Sequence, residues 1–343
     1  MLTDRSQPTC PAAMTTNPNS PDVVLFPDEK PLPILPAAEH YAGFEKLMLK
    51  SFALQDELGP VFDVTCDCED GAAAGTEKQH AHLVARMITS EHNHFGRAGT
   101  RIHDFQHPSF TDDIDILIGE AGERIAYITL PKSPNYAMAL AAVEYIHKRT
   151  QAMGVKRTIP LHLMIESPTA VHDVWKIAAL PGCEVIDFGL MDFVSSYQGA
   201  IPSTGMQSPM QFTHPLIVRA KGAIGTAAAA HGVIASHNVT RDVKNPATAG
   251  NDAHRAKEEF GFLRMWSIHP SQILPIVEAM RPDPTDVADS SAILLLAQAA
   301  DWGPVSYAEK LHDRASYRYN WQVLKRARAT GVAIPAEAER AFF

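Results

Sequence analysis

"IAYITLPKSPNYAMALAAVEYIHKRTQAMGVKRTIPLHLMIESPTAVHDVWKIAALPGCEVIDF" (residues 125–188) decides the fold. Three short apolar runs, at 125–130, 160–165 and 183–188, alternate with two longer amphipathic stretches. Runs that are apolar at nearly every position suit strands covered on both faces. The longer stretches between them have the length and period of crossover helices. Working outward, the same alternation continues. Further strand candidates are PLPIL at 31–35, VFDVTC at 61–66, GTRIH at 99–103, GVIAS at 232–236 and LRMWSI at 263–268. AEHYAGFEKLMLKSFALQDEL, EKQHAHLVARMI and PLIVRAKGAIGTAAAAHG read as helices between them. Eight strand candidates alternating with helices over roughly 240 residues predict an α/β chain folded as a (β/α)8 TIM barrel. A doubly wound open sheet is the competing reading. No Gly-x-Gly-x-x-Gly follows a strand, which weakens a dinucleotide fold.

The flanks differ from this pattern. Residues 1–28 are polar and rich in Pro, Ser, Thr and Asn, and read as a disordered N-terminal arm. The barrel is expected over 29–282. From 283 to 343, PDPTDVADSSAILLLAQAADWG and RASYRYNWQVLKRARATG predict a C-terminal helical extension without intervening strands.

Composition narrows the partners. A net charge of −9 over 343 residues leaves no basic surplus for nucleic acid or an acidic membrane. No apolar run approaches the ~18 residues of a membrane span, and no signal peptide is evident. Four cysteines, Cys10, Cys66, Cys68 and Cys183, give no secretory framework, so a cytoplasmic protein is expected.

In a barrel of this kind, chemistry collects where strands run into the loops before helices. Those places carry Asp67, Glu69 and Asp70, then Arg101, His103 and Asp104, then Lys132, Glu166, Asp192 and His269. Glu166 reads two ways. With Ser167 as cap and Pro168 in the first turn it begins a helix. With Asp192, at the next strand end, it forms a pair of hard oxygen donors suited to Mg²⁺. Asp192 also reads as a helix cap. Arg101 carries a planar fork for a carboxylate, or for an ion pair with the acids of TCDCEDG at 65–71. Cys66 and Cys68 lack a second pair at zinc-ribbon spacing, and packing thiols are the plainer reading. The histidines of QHAH and EHNH lie on or near helices, where their spacing does not favour a shared metal.

These residues together resemble the citrate lyase β-subunit-like branch of the HpcH/HpaI aldolase family, which includes malyl-CoA and citramalyl-CoA lyases. The family's Asp-Leu-Glu-Asp pattern followed by Lys is matched by Asp67, Glu69, Asp70 and Lys78. Its Arg-x-Asn is matched by Arg101 with His103 in place of Asn. Leu130, Pro131 and Lys132 match a Leu-Pro-Lys. Glu166 and Asp192 match the metal carboxylates, and SIHPSQI at 267–273, with His269, Pro270 and Gln272, matches an Ile-His-Pro-x-Gln. The ordered set runs from about 32 to 315.

The resemblance implies a Mg²⁺-dependent barrel, a homo-oligomer (trimer or hexamer), cleaving or forming a 3-hydroxy-acyl-CoA thioester through an enolate. Glu166 and Asp192 are then the metal ligands, and Arg101, Lys132 and Glu166 bind the substrate. Asp67, Glu69 and Asp70 support the catalytic Arg101, and Asp313 acts as acid or base from a neighbouring subunit. Two departures stand out. PLPILPAAEHY at 31–41 lacks the Arg and Pro-Gly turn that relatives carry, so coenzyme A as part of the substrate is less secure. EKLHDRA at 309–315 lacks the Pro that follows the family's aspartate. The rival readings are a CoA-independent keto-acid aldolase and a non-catalytic paralogue of a lyase subunit.

Overall fold

The computed structural model describes residues 20–27, 32–72 and 75–343. The chain divides into two compact units, Leu32–Arg281 and a second one joining the N-terminal stretch to Pro282–Phe343. In chain order the elements begin with a short helix, α1 (Pro21–Leu25). The barrel unit then runs β1 (Ala38–Ala42), α2 (Glu45–Leu58), β2 (Phe62–Asp67), α3 (Glu77–Thr89), β3 (Ala98–Arg101), α4 (Phe110–Ala121), β4 (Ile128–Leu130) and α5 (Tyr136–Ala152). It continues with β5 (Leu161–Ile165), α6 (Pro168–Ala178), β6 (Cys183–Phe188), α7 (Leu190–Ser195), α8 (Pro215–His231), β7 (Ile234–His237), α9 (Pro246–Phe260), β8 (Arg264–Ser267) and α10 (Ile273–Met280). The second unit adds α11 (Pro284–Ala299), β9 (Val305–Tyr307), β10 (Lys310–His312), α12 (Arg314–Ala329) and α13 (Ala336–Phe342).

Strands β1 to β8 are parallel neighbours in sequence order and close on themselves through β1 and β8. This is the expected (β/α)8 barrel. The helices are built by the local signals that the sequence carries. Ser167 accepts a hydrogen bond from the Ala170 N–H (3.1 Å) with Pro168 in the first turn of α6. Asn135, Asn245 and Asp283 cap α5, α9 and α11 in the same way.

The first strand is not PLPIL. Pro33 and Pro36 cannot donate to a ladder, and Ile34 is exposed. The strand is AEHYA, paired with β2 from Ala38↔Phe62 to Ala42↔Cys66. Its Ala and Glu residues imitate a helix start in the sequence. Their alternation is that of a strand, with Glu39 meeting Thr65 and Arg264 from other strands.

The lumen also departs from the aliphatic layers usual in such barrels. Glu39, Asp63, Thr65, His162, Asp187 and Arg264 are all buried there. Arg264 pairs with Glu39 (3.1 Å) and Asp63 (2.7 Å). His162 lies between Glu39 (3.6 Å) and Glu184 (3.5 Å), stacked on Tyr127. Burial opposes the His162 charge, but these acids outweigh it and raise its pKa to about 9. Conversely, Arg264 and His162 hold Glu39 down at about 2 against the burial that favours its neutral form.

The second unit has its own core of Val287, Leu294, Tyr317, Trp321 and Leu324, with Leu25 buried among them. Residues 1–19 and 28 of the expected arm lie outside the described residues. Within the arm, Pro21–Leu25 are helical rather than disordered. Asp22 accepts hydrogen bonds from Trp321 Nε1 (2.7 Å) and Lys325 Nζ (2.8 Å), and Arg314 donates to the Leu25 carbonyl (3.0 Å). The expectation of helices alone in this unit is also corrected, because β9 and β10 form an antiparallel hairpin. Its turn places Ala308 and Glu309 at φ 45° and 63°. That turn lacks the Asn or Gly that normally announces it in a sequence. Among the described residues, no helix is long and apolar enough to cross a membrane.

Candidate active site at the barrel mouth

The register of β2 on β3 places Asp67 opposite Arg101 at the carboxyl end of both strands. Arg101 spends its side edge there, donating from Nε to Asp67 Oδ1 (2.8 Å) and from Nη2 to Oδ2 (2.5 Å). Asp67 is fixed in turn by the N–H groups of Glu69 (3.0 Å) and Gly71 (2.9 Å). A Cβ on Gly71 would lie 2.3 Å from Asp67 Oδ2, so only glycine lets the chain close this tightly around the carboxylate. Below the guanidinium lies the Tyr41 ring (5.0 Å), stacked on Trp266 (4.2 Å), whose Nε1 donates to Asp187 (2.6 Å).

Glu69 joins the two fixed cations of the mouth. One oxygen meets Arg101 Nη1 (3.0 Å), and the other accepts from Lys132 Nζ. Asp70 accepts from the same ammonium at 2.9 and 3.1 Å. Burial works against the charge of Lys132, but Glu69 and Asp70 hold its pKa above the ordinary lysine range.

Glu166 follows β5 and is buried. Its Oε2 accepts the Lys132 N–H (2.6 Å). Its Oε1 is turned toward the end of β6, where a Cβ on Gly189 would stand 2.2 Å away. Asp192 lies three residues on, in the first turn of α7, and does not cap it, since the N-cap is Gly189. Burial, and then the Asp192 charge, push Glu166 up to about 8 against the opposing Lys132 hydrogen bond and Arg101 charge. Two carboxyl groups crowded in this way, with hard oxygens and too little cationic charge, match the donor set that Mg²⁺ takes.

The remaining candidates divide. His103 is held by Asp113, which accepts from its N–H (2.9 Å) and pairs with Nδ1 (2.7 Å). Burial opposes the imidazolium, and Asp113 outweighs it, so the pKa is raised. The His269 motif is a clasp. Gln272 bridges the Ile268 N–H (3.1 Å) and the Thr240 carbonyl (2.8 Å). Lys78 pairs with Asp112 (3.4 Å) on the surface and does not join the site. Asp313 belongs to the second unit, where it forms a capping box with Ser316 at the start of α12. Cys66 and Cys68 are buried free thiols, Cys66 pushed up to about 12 chiefly by burial.

Sequence reasoning missed Tyr41 and Trp266 as a floor, and it missed Gly71 and Gly189 as close approaches. It also missed a cleft of about 420 Å³ lined by Ser208, Gln211, Thr240, Arg241 and Asp252. Asp252 ties that cleft's two loops together, accepting from Ser208, Gln211 (3.0 Å) and Thr240 (2.6 Å). Glu39, His162 and Asp187 also bring ligand-type atoms within 4.8 Å of one another. Arg264 and the His162 imidazolium already neutralise that group, so we read it as an ionic core and not as the metal centre.

The family model for HpcH/HpaI aldolase/citrate lyase matches residues 57–270. Among solved structures, a citrate lyase from Burkholderia xenovorans LB400 is 51% identical, covering 94% of this chain and 99% of that one, with a TM-score of 0.85. The protein CitE from Mycobacterium tuberculosis, in complex with magnesium, acetoacetate and coenzyme A, is 19% identical with a TM-score of 0.66. It covers 86% of this chain and 98% of that one, and shares the fold. An L-malyl-CoA/β-methylmalyl-CoA lyase of Rhodobacter capsulatus is 26% identical over 279 residues, 77% of this chain and 86% of its own length.

Proposed function

The chain belongs to the HpcH/HpaI aldolase/citrate lyase family, and from that premise we propose a Mg²⁺-dependent carbon–carbon lyase. It cleaves or forms a 3-hydroxy-acyl-CoA of the malyl, citramalyl or citryl type. The observation that carries this reading is Glu166. It is buried, anchored at one oxygen by the Lys132 N–H, without a hydrogen bond at the other among the described residues, and raised to about 8 by burial and the neighbouring Asp192 charge. Glu166 and Asp192 would hold the ion, leaving its other positions to water and substrate oxygens. A divalent ion there supplies Lewis-acid polarisation of a substrate oxygen.

The chain's own groups do the rest. Asp67 holds the side edge of Arg101, so the end edge between Nη1 and Nη2 is presented to a carboxylate or to the developing enolate oxygen. Glu69 fixes that edge from one side. The Tyr41–Trp266 floor closes the site below Arg101. Asp313, exposed at the head of α12, is assigned the proton transfer at carbon, supplied by a neighbouring copy of a homo-oligomer (trimer or hexamer). We place the enzyme in the cytoplasm, supported by the buried thiols Cys66 and Cys68.

Glu166→Gln and Asp192→Asn are each expected to abolish Mg²⁺-dependent thioester cleavage. Full activity in both variants removes the basis of the assignment. The missing Arg and Pro-Gly turn around PLPILPAAEHY favours one alternative, an aldolase of free keto-acids. Turnover of free keto-acids with none of acyl-CoA substrates would select it.

A further inference from the structure

We infer that Lys132 is a positioning residue that presets Glu166 and Arg101, and not a cation that captures substrate; this rests on the lyase reading above. Its ammonium is engaged by both Glu69 and Asp70, which come from the end of β2, while Lys132 itself follows β4. The side chain therefore arches over the end of β3, where Arg101 stands. Through Glu69 it fixes the Arg101 Nη1 edge (3.0 Å). Its backbone works on the other neighbour. Lys132 has φ 49°, in the left-handed region that favours glycine, and this turn points its N–H at Glu166 Oε2 (2.6 Å). The other oxygen, Oε1, has no hydrogen bond among the described residues and faces Gly189 and the β6 end. One residue thus joins the ends of β2, β4 and β5 and sets both the cationic and the anionic walls of the site. A group recruited for substrate needs a free ammonium. This one is held in a bidentate grip by Asp70 and a further bond to Glu69.

The test separates the two roles. Mg²⁺ alone is titrated calorimetrically into the full-length protein, and kcat and KM are measured with the thioester that the wild type turns over. Lys132→Met keeps the N–H on Glu166 and so is expected to leave Mg²⁺ affinity within about twofold, but it removes the ammonium that fixes Glu69 against Arg101. It is expected to lower kcat about 10–100-fold through Arg101 and to leave substrate KM within about twofold. Lys132→Arg, which keeps the charge, is expected to recover most of the loss. Lys132→Gly suits the backbone but lacks the ammonium, so it is expected to repeat the Met result. A Met variant with raised KM and unchanged kcat makes Lys132 a substrate-binding cation and overturns the inference. A Gly variant that behaves as wild type also overturns it. If Lys132→Met does not fold, as read by circular dichroism, the Arg and Gly variants decide alone. A wild type that neither binds Mg²⁺ nor cleaves any thioester instead sinks the lyase reading itself.

Discussion

Glu166 and Asp192 stood out in the sequence only as a pair, because each carboxylate taken alone also reads as the start or cap of a helix. Their supports did not stand out. Gly189 reads as an ordinary loop residue, yet a methyl group there would lie 2.2 Å from Glu166 Oε1 and 2.3 Å from its Cγ. Its φ of −92° is open to alanine, so Gly189→Ala tests the space alone. We expect Mg²⁺ affinity to fall by more than tenfold, with a stability cost of about 1–3 kcal/mol. Calorimetric titration and urea denaturation check the two values, and wild-type affinity would show that Glu166 Oε1 does not need that space. The same blindness explains Lys132. The Leu-Pro-Lys pattern marks the residue, but not its positive φ or the use of its N–H.

At the scale of the element, seven of the eight strands fall where the apolar runs place them, and β1 does not. Strand β1 carries Glu39 and Tyr41 inward, and a polar residue facing a closed barrel looks in sequence like one facing water. The ionic lumen was hidden for the same reason. It has a consequence for pH. His162 is raised from 6.5 to about 9 on folding, so its contribution is complete below about 6.5 and is lost as pH rises through 9. Glu39 is lowered from 4.5 to about 2, so its contribution is present above 4.5 and fades as pH falls toward 2. Unfolding free energy, measured by urea titration, should therefore decline between pH 6.5 and 9. In His162→Phe that alkaline decline should be flatter, and an unchanged slope would remove His162 as its source.

For the molecule as a whole, the alternation of runs and helices made the barrel readable from one end to the other. In the second unit the helices α11 and α12 were readable, but its assembly was not, because its parts are far apart in sequence. Leu25 is buried among side chains from α11 and α12, nearly three hundred residues away. Each unit has its own apolar cluster. Leu25→Ala should therefore destabilise the second unit by about 2–5 kcal/mol. Differential scanning calorimetry should show one transition shifted and the barrel transition in place. Equal shifts of all transitions would mean that the units do not melt independently.

The charged lumen also bears on how this scaffold can change over generations. Aliphatic layers can be exchanged one residue at a time, with small penalties that a stable protein absorbs. Here Arg264 serves Glu39 and Asp63 together, and Glu39 serves Thr65 and Arg264 together. Removing one partner strands the others in a dry interior, whereas replacing the set can be nearly neutral. Arg264, Glu39 and Asp63 are thus bound by epistasis. A library that varies them singly will find almost only losses, and one that varies them jointly is the one able to give the barrel a different interior.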